Sequence, residues 1–523
     1  MGRRVIVVGS GGAGLVAAVA ARKRGADVML LSKTACERSS STAYSGGLFS
    51  LSSGSVPPEE HYARVIRTGR HMNDPALVRT LSEESEATLR TLSDWGVTMD
   101  IEECGRASTR RSAPSGIMGG GGMVGELAAI ARREGVEILE YHAATRLLVG
   151  PRGAEGVEAV DWRSGRAFSF GASAVILATG GGGAIYERTD NPARMTGDGY
   201  ALALEAGLEL TDMEFVQFYP MGWDQPDFPV WMVGLNILDY IPLTDERGRE
   251  FLREAFPAWG VSSGREANLF ARDRAAVLMA GHILRGGKAM LHLEELTEED
   301  LAAPEVQIFL MIDIPPEKRT APVQVSPLEH YFCGGVPIDS DGRTEMPGLY
   351  ACGEVSAGVD GASRMGGNAL TNVVVFGLRT GIAAAAEAGP LKNSDRREIP
   401  SPEVLRAEGG IAPGDVRRSL RRIVQRGLSP WRSGSGIRAC LAEIEEWSRS
   451  NRGMKLSSHM DVLHALEMNG MRLTAEAVAR AALAREESRG VHFREDFPDE
   501  GNCWRRRVAV SMRGGSVKAG LGE

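Results

Sequence analysis

Cysteine is scarce in this chain. Six residues in 523 (Cys36, Cys104, Cys333, Cys352, Cys440 and Cys503) stand far apart, with no CxxC or CxxCH spacing. A disulfide framework, a zinc site, iron–sulfur ligation and covalent haem are therefore all without support, and the thiols read as ordinary buried groups of a reducing compartment. No run of 18 apolar residues occurs, so no membrane span or direct membrane insertion is expected. The net charge of −8 speaks against a nucleic-acid partner, whose phosphates call for a basic surface. Arg3 and Arg4 run straight into an apolar strand, without the apolar region and cleavage site of an export signal. The expected location is therefore cytoplasmic.

Glycine is abundant instead, at 65 residues, and it clusters. That pattern points to tight turns and close backbone approach to a ligand. The length predicts two to four domains. The first glycine cluster lies in "RRVIVVGSGGAGLVAAVAARKRGADVMLLSK", which reads as a βαβ unit with strands at 5–8 and 28–31 around a helix at 15–24. Gly9, Gly11 and Gly14 fit GxGxxG, with Gly12 between them, and the flanking strand and helix make the motif specific. A pyrophosphate is expected at that helix N-terminus, where free N–H groups and the dipole favour negative charge. The acidic residue that usually ends the second strand is replaced by Ser32, whose hydroxyl can still bond a ribose hydroxyl.

Further along, 75–96 reads as helix and 136–149 as short strands. "SAVILATGGGGAIY" is another apolar strand ending in glycines, and "GDGYALALEAG" is a short helix. Residues from about 223 to 325 lose the glycine rhythm and gain proline and charge, as an inserted domain would. Glycine-rich loops return at 334–354 and 361–377. Residues 401–489 read as a helical bundle and "MRGGSVKAGLGE" as a loose tail. The expected architecture is α/β. A discontinuous Rossmann-like domain (1–222 and 326–390) carries an inserted α+β capping domain (223–325), and a helical domain (400–523) follows.

In this order, "VVGSGGAGLVAA", "LLSKT", "ATGG", "TGDGYALALEAG", "DMEFVQF", "HYFCGGVPID", "PGLYACGE" and "SRMGGNALTNVVVFG" resemble the flavoprotein subunits of succinate dehydrogenase and fumarate reductase, a family that includes L-aspartate oxidase. "ALAREESRGVHFREDFP" is similar to that family's closing helical domain, so the resemblance covers nearly the whole chain. It implies FAD as cofactor. Carried over motif by motif, it implies FAD contacts at Ser32, Lys33, Ser41, Thr42, Gly46 and Gly47. The later motifs add Ala178, Thr179, Gly180, Asp198, Glu354, Arg364, Ala369 and Leu370. Glu354 stands where the family's glutamate holds the ribityl chain.

The family exchanges two electrons across a bond next to a carboxylate. The resemblance makes Arg272, in "NLFARDRAAVL", the proton-handling residue, and makes His330 and Arg364 the pair that holds a substrate carboxylate. Those residue types suit the task, since a guanidinium grips a carboxylate bidentately and a histidine N–H adds a further bond. No metal is implied.

Two departures matter. Members with covalent FAD carry a histidine in the segment written here "RSSSTAYSGGLFS", which has none, so non-covalent FAD is expected. The family's "QFHP" histidine, which helps hold a second carboxylate, is Tyr219 in "DMEFVQFYPMG". The acidic and basic features that normally follow have no match in "PVWMVGLNILDYIPLTDERG", where Trp231 and other apolar residues stand. A neutral tyrosine replaces a cationic clamp poorly. The expected substrate is thus a small organic acid whose far end is neutral, larger or aromatic and meets Tyr219 and Trp231. Asp239, Tyr240 or solvent would replace the missing proton relay. Alternatives are L-aspartate oxidation, or a flavin-bearing subunit that mainly passes electrons to an iron–sulfur or other electron-transfer partner.

Overall fold

Residues Val5 to Val8 are all buried, and the two-residue period of a strand divides them between two cores. In β1 (Arg4–Val8), Val5 and Val7 pack with α1 (Gly12–Lys23) and with helices Gly119–Arg133 and Asn368–Glu387. Ile6 and Val8 share the other core with Val157, Phe170 and Leu177. β1 is the middle of a five-stranded parallel sheet, ordered Leu349–Ala351, Ala174–Leu177, β1, β2 (Asp27–Leu31), Glu137–Leu139. An antiparallel sheet of His142–Gly150, Gly153–Asp161, Arg166–Gly171 and Arg397–Ile399 supplies part of the second core. The computed structural model describes residues 3–109, 119–303, 306, 314–389, 396–405, 410–450 and 453–522.

The chain leaves this body along Val216–Trp223 and returns along Val323–Phe332, and the two strands pair antiparallel. The expected borders at 222 and 325 therefore lie within one sheet, and the border at 390 lies outside the described residues. Strands Met290–Leu291 and Leu243–Thr244 extend that sheet. Helices Phe251–Trp259, Gly264–Phe270 and Arg272–Leu284 accompany it around a core that includes Trp223, Leu235, Phe256, Met279 and Leu291. This is the capping unit.

Helices Pro413–Gly427, Gly434–Ser450 and His459–Ala484 form the C-terminal unit. Their attachment is ionic as well as apolar. Glu467, 1% exposed, meets Lys33 at 2.9 Å, Arg194 at 3.1 Å and Arg417 at 2.8 Å.

Three features differ from what the sequence predicts. The loose tail is a hairpin of Val508–Arg513 and Ser516–Leu521, paired onto Leu210–Thr211. Gly514 and Gly515 take φ of +58° and +76°, which a two-residue hairpin turn demands, and Val508, Val510 and Val517 are buried. All six cysteines are free, but Cys104 and Cys503 are exposed. Helix Asn368–Glu387 is long and apolar enough to cross a membrane, yet two-thirds of its apolar window is buried and it packs on α1.

Candidate active site

A cavity of about 730 Å³ runs from the start of α1 to the capping unit. At one end the backbone is shaped to admit a phosphate. Gly9 has φ of +114°, and a Cβ there would lie 2.3 Å from the Ala178 carbonyl oxygen. A Cβ at Gly12 would strike Val373 and Thr42 at 2.8 and 2.9 Å. Gly11 caps α1 without a side-chain bond, so the helix start keeps donors and positive potential for a pyrophosphate. The Gly12 N–H donates to Thr42 Oγ1 at 3.2 Å, and Ser32 lies 2.6 Å from Ser10, oxygen to oxygen. Thr179 Oγ1 is buried with no partner among the described residues. Glu354, also buried, accepts from the Gly181 and Phe332 N–H groups at 3.1 Å each. Burial raises its pKa to about 7, which suits a carboxyl group facing neutral hydroxyls. A long polyhydroxylated dinucleotide fits this lining.

At the other end four side chains converge. Arg272 opens helix Arg272–Leu284, and its guanidinium carbon stands 4.7 Å from the centre of the Tyr219 ring. The same ring meets His330 edge-on at 5.4 Å between centroids. Arg364 reaches in from the loop before helix Asn368–Glu387, 4.6 Å from the Tyr331 ring. The hydrogen bonds of both arginines within the protein go to amide oxygens. Arg272 donates to the Asn268 backbone and side-chain oxygens at 3.1 and 3.3 Å, and Arg364 donates to the Met365 oxygen at 3.2 Å. Two buried guanidinium groups without a carboxylate in contact among the described residues make a site for an anion, since unpaired buried charge is costly. Burial pushes Arg272 below its ordinary pKa, and neighbouring Arg364 pushes the same way.

His330 is lowered by burial as well, with Asp190 opposing the shift from 2.8 Å. Tyr219 is 3% exposed, and burial raises its hydroxyl. That hydroxyl donates to Asn268 Oδ1.

Arg272, His330, Arg364, Tyr219 and Trp231 all line the one cavity, as do Gly9, Gly11, Gly12, Ser32 and Lys33. Ser41, Thr42, Gly46, Ala178, Thr179, Gly180, Glu354, Ala369 and Leu370 line it too. Gly14, Gly47 and Asp198 stand outside the lining. Gly14 lets α1 cross β1, because a Cβ would lie 1.9 Å from the Gly9 oxygen. Gly47, at φ +76°, leaves room for Thr109, and Asp198 holds Lys33 Nζ at 2.6 Å.

Asp239 is not free to serve as a proton relay. Its carboxylate accepts from the Gly264 and Arg265 N–H groups at 2.6 and 3.0 Å, capping a helix. Asp273 pairs with Arg70 at 2.6 Å rather than with Arg272. Asp190 lies in none of the motifs, and Asn268 opens the segment that carries Arg272 without being singled out there. Asn268 could have been found as the residue one helical turn before Arg272, whereas Asp190 meets His330 across 140 residues.

A nucleotide-cradling turn and convergent arginines share one cavity, and similarity to known proteins makes the chain a flavin-dependent oxidoreductase. An FAD-binding-domain model matches residues 4–370, and a fumarate reductase flavoprotein C-terminal model matches 417–518. One subunit of the fumarate reductase (CoM/CoB) of Methanothermobacter marburgensis is 32% identical over 97% of each chain. An L-aspartate oxidase of Streptomyces coelicolor is also 32% identical, over 97% of this chain and 91% of its own. In fold, the FrdA chain of an E. coli quinol fumarate reductase mutant superposes with a TM-score of 0.86 at 24% identity, covering 100% of this chain and 97% of that one. The chain belongs to the FAD-binding family of succinate dehydrogenase and fumarate reductase flavoproteins that includes L-aspartate oxidase.

Proposed function

We propose that the protein reduces or forms a C–C double bond next to the carboxylate or carbonyl of a small organic acid. The observation that carries this reading is the convergence of Arg272, His330 and Arg364 around Tyr219 at one end of the cavity. FAD, when bound, supplies the two-electron donor or acceptor. The chain's own residues do the rest. Arg364 and His330 grip and orient the carboxylate. Arg272 delivers or removes a proton at the neighbouring carbon, its buried guanidinium tuned away from its solution basicity. Tyr219 and Trp231 face the remote end of the substrate and favour a neutral or aromatic group there over a second carboxylate.

FAD is proposed to be held non-covalently, because the one histidine among the described lining residues, His330, is committed to Asp190. Acid precipitation should release all the flavin. A screen of unsaturated and saturated carboxylates for flavin bleaching and reoxidation tests the reaction, with CoM and CoB among the donors because a relative's name carries them. Fumarate and succinate should turn over poorly, and rapid conversion of either would refute the altered pocket. Oxygen uptake with L-aspartate would instead favour the oxidase reading that the named relatives support. Since the CoM/CoB relative is one subunit of a larger enzyme by name, an electron-transfer partner is part of the proposal, to be sought by co-purification.

A further inference from the structure

His330 presents a puzzle for anion binding. Its Nδ1 is 2.8 Å from Asp190 Oδ2, so that nitrogen carries the proton and is used up. Nε2 has no partner in the protein among the described residues and is the atom left for a ligand. In the neutral ring Nε2 is only an acceptor, which repels a carboxylate. It becomes a donor when the ring takes a second proton.

The groups around the ring set the balance. Arg272 and Arg364 oppose a positive charge on it, the Tyr219 ring packs edge-on against it, and burial also opposes charging. Among the described residues, Asp190 is the group that favours it. Glu329, next to His330 in the strand, is turned away into bonds with Thr189 and Asn191. The side chain of Asp190 is 7% exposed, so little solvent screens it.

We propose that Asp190 is the positioning residue of the site: it fixes His330 by Nδ1 and lets Nε2 take one proton from solvent when a carboxylate binds. Ligand binding is then linked to proton uptake, and the site selects an anionic head group by charging itself to meet it. The inference rests on the placement of the substrate carboxylate given above, but its first test needs no substrate.

Histidine labelled with ¹⁵N reports tautomer and charge directly, and the His330 signals are assigned by their loss in His330→Asn. In the FAD-loaded protein they should show a protonated Nδ1 with a free Nε2. Asp190→Asn should lower the pH at which the ring charges by about one unit, tenfold in proton affinity, and Asp190→Glu should restore part of it. An unchanged titration in Asp190→Asn, at full FAD content, would overturn the proposal whatever the enzyme's substrate. The second test uses trans-cinnamate as probe, read from the flavin spectrum. Its Kd should rise with pH between 6 and 8 in the wild type and stand about tenfold higher in Asp190→Asn across that range, whereas a wild-type Kd that does not change with pH would count against proton linkage. If cinnamate fails to perturb the wild-type flavin, the substrate reading fails while the titration still decides the role of Asp190.

Discussion

Asn268 Oδ1 accepts from both the Tyr219 hydroxyl and Arg272, so one amide oxygen fixes the two groups against each other. Replacing it with alanine leaves a buried hydroxyl and a buried guanidinium short of an acceptor. Turnover in Asn268→Ala should fall about 10- to 100-fold with FAD content intact, because small errors of orientation are costly in the reacting geometry. Arg272→Ala should lose about 10²- to 10⁴-fold or more while still binding FAD, and full activity would remove Arg272 from the mechanism.

Glu354 makes a pH prediction. Its folded pKa, raised to about 7, exceeds the unfolded value near 4.3, so the native state holds the extra proton between them. The FAD-free protein should therefore lose stability as pH rises from about 5 to 8, and Glu354→Gln should flatten the melting-temperature profile. Asp212, also raised to about 7 by burial and by Glu214, leaves a residual slope. Arg272, His330 and Arg364 were legible in sequence because motifs carry them. Asp190 was not, since its role exists only where a loop meets a strand 140 residues away.

At the level of elements, the βαβ start was readable because strand, glycines and helix are contiguous and their pattern is local. The capping unit was readable as a change in composition. Its sheet was not, because Val216–Trp223 and Val323–Phe332 pair over a long separation. The C-terminal hairpin was missed for a plainer reason: two adjacent glycines were read as looseness when they encode a tight turn. Gly14→Ala tests the first element. The added methyl would lie 1.9 Å from the Gly9 oxygen, so α1 must shift away from β1. A loss of about 1–3 kcal/mol in denaturant unfolding and weaker FAD binding are expected, and wild-type behaviour in both would contradict the packing described.

Over the whole molecule, Glu467 joins the C-terminal helices to the nucleotide domain. Burial pushes its pKa up, but Lys33, Arg194 and Arg417 hold it below the ordinary carboxylate range. A lowered folded pKa gives stability that is present above the unfolded value and is lost as pH falls through the folded one. Acidification below about pH 4 should therefore loosen the helical unit. Glu467→Ala takes the carboxylate from Arg194 and buried Arg417, while Lys33 keeps Asp198, and should cost about 3–5 kcal/mol, seen as faster hydrogen exchange across His459–Ala484. Unchanged exchange there would show that the apolar contacts alone secure the unit.

Lys33 belongs to two neighbourhoods at once, since it lines the nucleotide cavity and grips Glu467. Occupancy of that cavity and docking of the helices are thus reciprocal: whatever one contributes to the other must be returned in equal measure. Flavin content then becomes a gauge of assembly, and a preparation that has shed its FAD should be the one a protease clips first at the C-terminal helices.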